Sequence, residues 1–273
     1  MPEKNNRDRT ASIAVFCDFE NIAIGVRESR YDEFDIGRVL ERLLLKGSIV
    51  VKKAYCDWDR YKDFKKAMHE AAFELIEIPH VRQSGKNSAD IRMVVDALDL
   101  CYTKPHVNAF VIMSGDSDFS SLVTKLREND KTVVGVGVKN STSDLFTGAC
   151  DEFIFYDDLV REHEKRRKSR KRPPAKPRAA GAPKGEAVAE EKRQEAFDLV
   201  LDTIEMLWDE RGDDDEVWGS MVKQAIKRRK PGFNESYYGF RSFSELLKTM
   251  EKEKMLVMEP DERSGGYIIR DVI

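Results

Sequence analysis

Residues 107–119 read VNAFVIMSGDSDF, and this stretch decides the fold. Its apolar run predicts a buried strand, and Ser114 and Gly115 give the turn signal that ends it. Apolar residues then recur at helical spacing, at Phe119, Leu122, Val123 and Leu126. Asp116 and Asp118 therefore stand between the carboxyl end of a strand and the start of a helix. In open α/β sheets, ligands bind at that edge.

The same alternation of strand and helix signals continues along the chain on both sides of this stretch. Apolar runs predict strands at 13–17, 48–56, 75–78, 107–113, 132–138 and 153–156. Helical spacing predicts helices at 35–46, 59–74, 89–102, 119–129 and 143–149, and a closing helix from residue 157. Strands that alternate with helices of about 12 residues indicate βαβ units. The expected fold class is therefore α/β, with a parallel, Rossmann-like sheet flanked by helices.

The composition of the chain changes after Val160. Residues 161–178 hold ten Lys and Arg residues against two Glu, and residues 173–190 are rich in Pro, Ala and Gly. This segment is either a solvated helix end followed by a spacer, or an arm that tracks the phosphates of a nucleic acid. Helical patterns and a Gly-Gly hairpin then predict a winged helix-turn-helix domain. We therefore divide the chain into a first domain at 11–162, a linker at 163–192 and a second domain at 193–273.

Composition excludes several classes of protein. The 273 residues are 36% charged but carry a net charge of only −3, so overall charge does not identify the partners. No apolar leader and no run of 18 apolar residues is present, which predicts a cytoplasmic protein without a membrane partner. No GxGxxG or GxxxxGK[ST] motif follows a strand, which excludes the common nucleotide-binding loops. Four cysteines are far apart and are predicted to be buried thiols: Cys17, Cys56, Cys101 and Cys150.

Two further acids are predicted to reach the edge that carries Asp116 and Asp118. Asp18 follows the first strand, which neighbours the strand at 107–113 if the sheet has the common central order, and Asp90 lies in the first turn of a helix. Each pair of carboxylates ~4 Å apart costs roughly 4 kcal/mol at an effective dielectric constant of about 20. Either some of them are protonated, or a divalent cation neutralises them. Because the ligands are all oxygens, Mg²⁺ or Mn²⁺ is expected, and either suits phosphodiester hydrolysis.

Each acid also has a structural interpretation when it is taken alone. Asp18 would end a strand by turn chemistry, and Asp90 would match a helix dipole. Asp116 and Asp118 would cap the following helix. It is the convergence of the four that favours a site. Asp96 lies six residues beyond Asp90, about 240° around the helix, and is expected to point elsewhere.

Four polar residues are candidates for supporting roles at the same edge. Asn21 and Ser114 are placed to hold a carboxylate or a water molecule of the metal. Arg82 and Lys86 lie in the polar loop before the helix of Asp90 and are candidates for contacts with a nucleic acid. Lys86 would lie near the scissile phosphate, or it is an ordinary surface lysine.

Three segments together resemble a known family. FCDFEN at 16–21, KNSADIRMVVDALD at 86–99 and MSGDSDFSSLV at 113–123 closely resemble the NYN domain, the LabA-like group of the PIN-like nuclease superfamily. The resemblance covers roughly residues 11–160 and implies a PIN-like fold and a ribonuclease that depends on Mg²⁺ or Mn²⁺. The acidic site of the family then falls on Asp18, Asp90, Asp116 and Asp118, with Asn21 and Ser114 in support.

The C-terminal part resembles the LOTUS domain, also called OST-HTH, over about residues 195–270. The features are WGS at 218–220, the run at 226–239 and the strand YII at 267–269. The resemblance implies a winged helix that binds RNA and that, in some members, contacts partner proteins. The patch that we expect to face phosphates comprises Lys223, Lys227, Arg228, Arg229 and Lys230. The alternative interpretation of these residues is an ordinary solvated helix face.

Three functions compete at this point. The interpretation we favour is a metal-dependent endoribonuclease with an appended RNA-binding module. A phosphatase of the haloacid dehalogenase type also has an Asp after its first strand, but it requires a second Asp two residues later, where this chain has Glu20. A non-catalytic adaptor would use both domains only to bind RNA. The sequence sets no oligomeric state.

Overall fold

A computed structural model describes residues 11–31, 34–78, 88–169, 184–211, 216–261 and 266–273. The chain divides into two units, Met1–Lys171 and Arg172–Ile273. At residues 165–169, 184–188 and 211, only the backbone is described. The predicted RNA contacts Arg82 and Lys86 lie outside the described residues.

The first unit is built on a six-stranded sheet in which all neighbours are parallel. The strands are Ala11–Asp18 (β1), Gly47–Cys56 (β2), Glu74–Glu77 (β3), Ala109–Met113 (β4), Thr132–Gly137 (β5) and Glu152–Phe155 (β6). Their order is β3-β2-β1-β4-β5-β6, which confirms the predicted parallel α/β fold. The chain runs outward from β1 to β3 and returns to β4 on the other side of β1. The strand order therefore reverses between β1 and β4, where open sheets bind ligands.

Seven helices accompany these strands in the described part of the first unit. They are Phe19–Glu28 (α1), Ile36–Lys46 (α2), Lys62–Glu70 (α3), Ser88–Thr103 (α4), Ser120–Glu128 (α5), Asp144–Ala149 (α6) and Tyr156–Ser169 (α7). Asp35 caps α2, as its sequence position predicts: its side chain accepts a hydrogen bond from the backbone N–H of Gly37 at 2.9 Å. Helix α3 is shorter than the predicted 59–74.

Helix α1 was not among the predicted helices. It begins directly after β1, so no turn residues mark its start. Its buried positions Phe19, Ile22 and Val26 have helical spacing, and the ring of Phe19 lies 5.0 Å from that of Trp58 between centroids. This packing fixes α1 to the sheet and places its first turn at the carboxyl end of β1.

The alternation of side chains along β1 creates two cores, one on each face of the sheet. Ile13, Val15 and Cys17 belong to one core, while Ala14 and Phe16 belong to the other, together with Met93 of α4 and Leu122 of α5. Successive strand residues point to opposite faces. Even-numbered positions at the end of β1 therefore point to the face that α4 and α5 cover.

The described part of the second unit combines three helices with a small antiparallel sheet. Its elements are Lys184–Arg211 (α8), Val217–Trp218 (β7), Gly219–Arg229 (α9), Phe243–Lys252 (α10), Leu256–Pro260 (β8) and Tyr267–Val272 (β9). The strand order is β7-β9-β8, so the predicted two-stranded wing has a third strand. Trp218 lies in that third strand. The architecture is that of a winged helix-turn-helix domain.

Two helices extend into the predicted linker at 163–192. Helix α7 continues to Ser169, and α8 begins at Lys184. The residues between them lie outside the described ranges, and the domain boundaries at 162 and 193 stay predictions. None of the helices described here has both the length and the apolar character needed to cross a bilayer.

Candidate functional site

The candidate site lies where the carboxyl ends of β1 and β4 meet. Asp18 is the last residue of β1, and Ser114 directly follows β4. In the sheet register, Cys17 of β1 pairs with Met113 of β4. The residues that follow them, Asp18 and Ser114, therefore lie side by side. Asp18 and Ser114 are therefore neighbours although 96 positions separate them in the sequence.

Asp18 is buried and held in place by two donors. Its carboxylate accepts a hydrogen bond from the Ser114 hydroxyl at 3.0 Å and another from the backbone N–H of Asn21 at 3.3 Å. The second bond also caps α1. Asp18 is only 9% exposed. Asp18 therefore caps α1, which is a structural role, and lies at the edge where the site is predicted.

The turn after β4 continues the same network toward Asp118. The hydroxyl of Ser114 accepts from the backbone N–H of Asp116 at 3.2 Å. The carboxylate of Asp116 accepts from the backbone N–H of Asp118 at 3.0 Å and caps a single 3-10 turn at Ser117–Phe119. Capping leaves the other oxygen of Asp116 available, and the side chain of Asp118 is exposed. The turn therefore presents two carboxylates in a fixed order.

Gly115 and Asn21 connect this turn to α1. The backbone N–H of Gly115 donates to the side-chain oxygen of Asn21 at 2.8 Å. A Cβ on Gly115 would lie 2.0 Å from the carbonyl oxygen of Ser141, so only glycine fits without a shift of the backbone. Asn21 thus links α1 to the turn, and this link orients the backbone N–H of Asn21 toward Asp18.

Asp90 joins this group from the first turn of α4. The pKa of Asp90 is raised to about 6, first by burial and then by the nearby carboxylates of Asp116, Asp118 and Glu20. The pKa of Asp18 rises to about 7, first because of burial and then because of Asp90, while the hydrogen bonds from Asn21 and Ser114 lower it. The four predicted acids therefore share one electrostatic environment.

Glu20 is a fifth acid that the sequence interpretation did not include in the site. Its charge raises the pKa values of both Asp18 and Asp90. Its carboxylate is also paired with the guanidinium of Arg60 at 3.2 Å. The available signal was its position two residues after the strand-ending Asp18, but this position points to the site only once α1 is known to begin at Phe19.

Asp96 lies apart from the site, as its helical position predicts. Its carboxylate accepts from the Tyr55 hydroxyl at 2.8 Å and from Lys53 Nζ at 3.2 Å, and it lies 3.2 Å from Nε of Arg92. Burial alone would raise the pKa of Asp96, but these partners lower it below its usual value. Asp96 therefore anchors α4 to β2.

The donor set at this edge suits a hard divalent cation. Its side chains offer carboxylate oxygens, and the raised pKa values of Asp18 and Asp90 reflect burial and repulsion that a cation would relieve. Over the ranges that the structure describes, no three His, Cys, Asp or Glu side chains form a ready-made ligand set for one ion. Mg²⁺ often binds through one or two carboxylates and completes its shell with water, so the residues fit this type of ion.

The predicted phosphate-facing patch on α9 is only partly available. Lys227 and Lys230 are exposed, while Lys223 is paired with Glu235 at 2.9 Å. Burial lowers the pKa of Arg228, which is half-buried.

Arg229 must be removed from the patch. Its side chain is only 8% exposed, and its guanidinium lies 3.1 Å from the carboxylate of Asp202 and donates to the Thr203 hydroxyl at 2.9 Å. The physical reason is its position seven residues after the buried Val222, two helical turns away on the face that packs inward. Arg229 is therefore part of the contact between α8 and α9.

Comparison with known proteins identifies both units. The model of the NYN domain family matches residues 12–157, and that of the OST-HTH/LOTUS domain matches residues 198–254. The sequence-based recognition of both domains, and the PIN-like α/β fold with a C-terminal winged helix, are thereby confirmed. No curated protein matches the chain.

Two solved structures show weaker likenesses. A Vibrio parahaemolyticus protein of unknown function is 26% identical, with a TM-score of 0.49 over 56% of this chain and 96% of that one. The Orc1 protein of Aeropyrum pernix in complex with DNA is 14% identical, with a TM-score of 0.23 over 97% of this chain and 84% of that one. At these TM-scores neither structure bears on the function of this chain.

Proposed function

The chain belongs to the NYN family, and from this membership and its acidic edge we propose that it is a metal-dependent endoribonuclease with a C-terminal RNA-binding module. NYN is a PIN-like nuclease domain and OST-HTH/LOTUS domains bind RNA, so their combination supports a role in RNA cleavage. The observation that carries the proposal is the crowding of Asp18 and Asp90, whose pKa values are raised to about 7 and about 6. Such perturbed acids at the ligand-binding edge of a sheet are typical of functional sites.

We assign the acids of this edge to a site for Mg²⁺ or Mn²⁺. A bound cation of this kind supplies Lewis-acid chemistry for phosphodiester hydrolysis. The Ser114 hydroxyl and the Asn21 backbone orient the oxygens of Asp18, and the Asp118 backbone orients those of Asp116. Fixed ligands of this type reduce the reorganisation that binding and catalysis require. The exposed carboxylate of Asp118 is the one most accessible to substrate.

The competing enzyme class is less well supported. A phosphatase of the haloacid dehalogenase type needs an Asp two residues after its nucleophilic Asp, and this chain has Glu20 there. That carboxylate is paired with the guanidinium of Arg60 at 3.2 Å, and its charge raises the pKa values of Asp18 and Asp90. We therefore place Glu20 among the groups that set the negative potential of the site.

RNA binding without cleavage is the second candidate function. It is favoured by one observation, namely that the described acids do not form a ready-made set of three ligands. The two candidates differ in a single respect: a nuclease loses activity when one carboxylate loses its charge, whereas an adaptor has no activity to lose.

The test is a cleavage assay with matched variants. Labelled RNA, DNA of the same sequence and a chromogenic phosphomonoester are incubated with Mn²⁺ or Mg²⁺, with and without a chelator. The variant Asp116→Asn keeps the oxygen that accepts from the Asp118 backbone, so its turn is expected to form. Asp99→Asn is the control, because Asp99 is exposed and lies elsewhere on α4.

The nuclease proposal predicts RNA cleavage that is lost with the chelator and in Asp116→Asn and kept in Asp99→Asn. Turnover of the monoester without RNA cleavage would favour the phosphatase. RNA binding without cleavage under either metal would favour the adaptor. The cytoplasmic location, a protein partner for the second domain and RNA contacts through Arg82 and Lys86 stay predictions.

A further inference from the structure

Tyr237 is an exposed aromatic ring on the second unit with a cation over its face. It lies in the 3-10 turn Glu235–Tyr238, between α9 and α10, and is 58% exposed. The ammonium of Lys192, on α8, lies 4.1 Å from its ring centroid. Among the tyrosines of the chain, only Tyr102 in the first unit is comparably exposed, at 63%. Exposed aromatic rings beside cationic side chains are the combination on which flat, unpaired bases stack.

Three further lysines, on α9 or directly after it, interact with carboxylates at the turn that carries this ring. Lys223 pairs with Glu235 at 2.9 Å, and Lys227 helps to lower the pKa of the same carboxylate. Lys230 lies 4.0 Å from the carboxylate of Glu195. That carboxylate accepts a hydrogen bond from the hydroxyl of Tyr238, the neighbour of Tyr237, at 3.4 Å.

The charges of this surface leave a positive excess. Four lysines, namely Lys192, Lys223, Lys227 and Lys230, stand against the two carboxylates of Glu195 and Glu235. Lys227 and Lys230 are exposed, so their ammonium groups are accessible to a ligand. We name Tyr237 with Lys192, Lys227 and Lys230 the Tyr237 platform.

The ring of Tyr237 is held in a defined orientation. Its centroid lies 5.0 Å from that of Tyr238 with the planes at 88°, which is an edge-to-face contact. Tyr238 itself is buried and stacks on Phe233 at 5.3 Å. A preorganised ring loses little conformational freedom when a ligand stacks on it, which favours binding.

We propose that the Tyr237 platform is a stacking site for an unpaired base of single-stranded RNA, with the lysines at the adjacent phosphates. This inference rests on the proposed function and adds to it the residue that the second unit uses to select unpaired RNA. Aromatic rings beside cations bind single strands with little sequence preference, because every base has a flat face. In a duplex those faces are covered by neighbouring bases, so the platform discriminates against paired RNA.

RNA fits the platform better than an apolar protein surface does. The large exposed apolar side chains in the described part of the second unit are Tyr237, Val257 and Ile273. The recorded contacts of the Tyr237 ring are the ammonium of Lys192 and the ring of Tyr238, which is itself buried. A single ring among lysines matches a base and its phosphates, whereas a protein contact needs a broader apolar centre.

The proposal is tested by fluorescence anisotropy with the full chain and a labelled single-stranded RNA, in a chelator so that no cleavage occurs. Tyr237→Ala is expected to weaken binding by about 5- to 100-fold, which is the range for the loss of one stacked base. Tyr237→Phe keeps the ring and is expected to bind like the unchanged chain. Tyr102→Ala removes the equally exposed ring of the first unit and serves as the matched control.

A second set of measurements isolates the contribution of base stacking on Tyr237 to RNA affinity. Tyr237→Leu keeps an apolar side chain without a ring and is expected to bind as weakly as Tyr237→Ala. Binding to a blunt RNA duplex of the same length is expected to be unchanged by either substitution. The double change Lys227→Gln with Lys230→Gln is expected to reduce the slope of log affinity against log salt by about 1 to 2.

The outcomes separate this proposal from the proposed function. If the unchanged chain binds and cleaves RNA and Tyr237→Ala binds as tightly, the platform is overturned and the nuclease stands. If Tyr237→Leu binds RNA normally but loses a protein ligand, the surface is a protein contact and the proposal is wrong. If Tyr237→Ala loses single-strand binding yet still cleaves saturating RNA at the full rate, the platform holds. If the unchanged chain binds RNA without cleaving it, the nuclease proposal fails and the binding results still decide on Tyr237.

Discussion

The hydroxyl of Ser114 lies 3.0 Å from the carboxylate of Asp18 and joins the ends of the two central strands. The same oxygen accepts a hydrogen bond from the backbone N–H of Asp116 at 3.2 Å. Ser114 is fully buried. One side chain thus positions an acid from β1 and an acid from the turn after β4, and both positions depend on it.

Replacement of Ser114 by alanine is expected to weaken the site from both sides. The bond that lowers the pKa of Asp18 is lost, and the backbone N–H of Asp116 loses its acceptor. We expect a loss of about 1–3 kcal/mol in the free energy of unfolding. RNA cleavage should also require a higher concentration of Mn²⁺.

Urea denaturation and a titration of the cleavage rate with Mn²⁺ measure both effects. Ser114→Thr keeps the hydroxyl and is expected to retain part of the metal affinity. Equal stability and equal metal dependence of Ser114→Ala and the unchanged chain would contradict the role assigned to this hydroxyl.

Asp18 is expected to lower stability while it supports function. At pH 8 its carboxylate is ionised in a buried position, although burial has raised its pKa to about 7. Asp18→Asn removes this charge and keeps an oxygen for the backbone N–H of Asn21. We expect the metal-free variant to be more stable by about 1–3 kcal/mol and to be inactive on RNA.

Thermal unfolding in a chelator and a cleavage assay test this trade-off on the same preparations. Asp99→Asn, on the exposed side of α4, should change neither quantity. A variant Asp18→Asn that is less stable at pH 8 would show that the carboxylate is favourably accommodated without a cation.

The stability of the metal-free chain should fall as the pH rises. Asp18 titrates near pH 3.8 when unfolded and near pH 7 when folded, so the folded state binds more protons between these values. The contribution of Asp18 is fully present below about pH 4 and is lost as the pH rises through about 7, a change of about 4 kcal/mol at most. Asp90, with a folded pKa of about 6, acts in the same direction.

Added Mn²⁺ should oppose this pH dependence. The cation binds ionised carboxylates, so it stabilises the chain more at pH 8 than at pH 5. At a concentration of 100 times its dissociation constant, the gain is about 2.7 kcal/mol. Denaturation curves at both pH values, with Mn²⁺ and with a chelator, provide the measurement. A larger gain at pH 5 would count against the assigned ligands.

Gly115 is expected to tolerate no side chain. A Cβ at this position would lie 2.0 Å from the carbonyl oxygen of Ser141, so Gly115→Ala must displace the turn that carries Asp116. We expect a loss of about 1–3 kcal/mol in stability and a strong loss of cleavage. Gly148→Ala is the matched control, since no atom lies within 4 Å of its added Cβ. Thermal unfolding of both variants decides the point, and equal melting temperatures would contradict it.

The central part of the site could be predicted from sequence because it depends on simple geometry. A buried strand ends at Asp18 and another at Met113, and parallel strands bring their carboxyl ends to the same edge of a sheet. Side chains alternate along each strand, and the even-numbered positions of β1 and β4 share one face of the sheet. Asp18 and Ser114 are both even-numbered and therefore lie on the same face. Neither inference requires knowledge of side-chain packing.

Other features required the packed structure. Glu20 enters the site because α1 begins without a loop, and no turn residue marks that start. Arg229 is inaccessible because α9 turns the face of Val222 toward α8, although the seven-residue spacing of the two was visible in the sequence. Tyr237 is exposed while its neighbour Tyr238 is buried, a difference that periodicity does not reveal.

The 96-residue separation between Asp18 and Ser114 has a consequence for synthesis of the chain. A polypeptide still emerging from the ribosome lacks β4 until the second half of this domain has been translated, so it contains Asp18 without its hydroxyl partner or the acids that follow. The catalytic pocket that we propose therefore comes into being late. Prematurely terminated products that end before Ser114 would lack Asp116 and Asp118 and are expected to cleave no RNA.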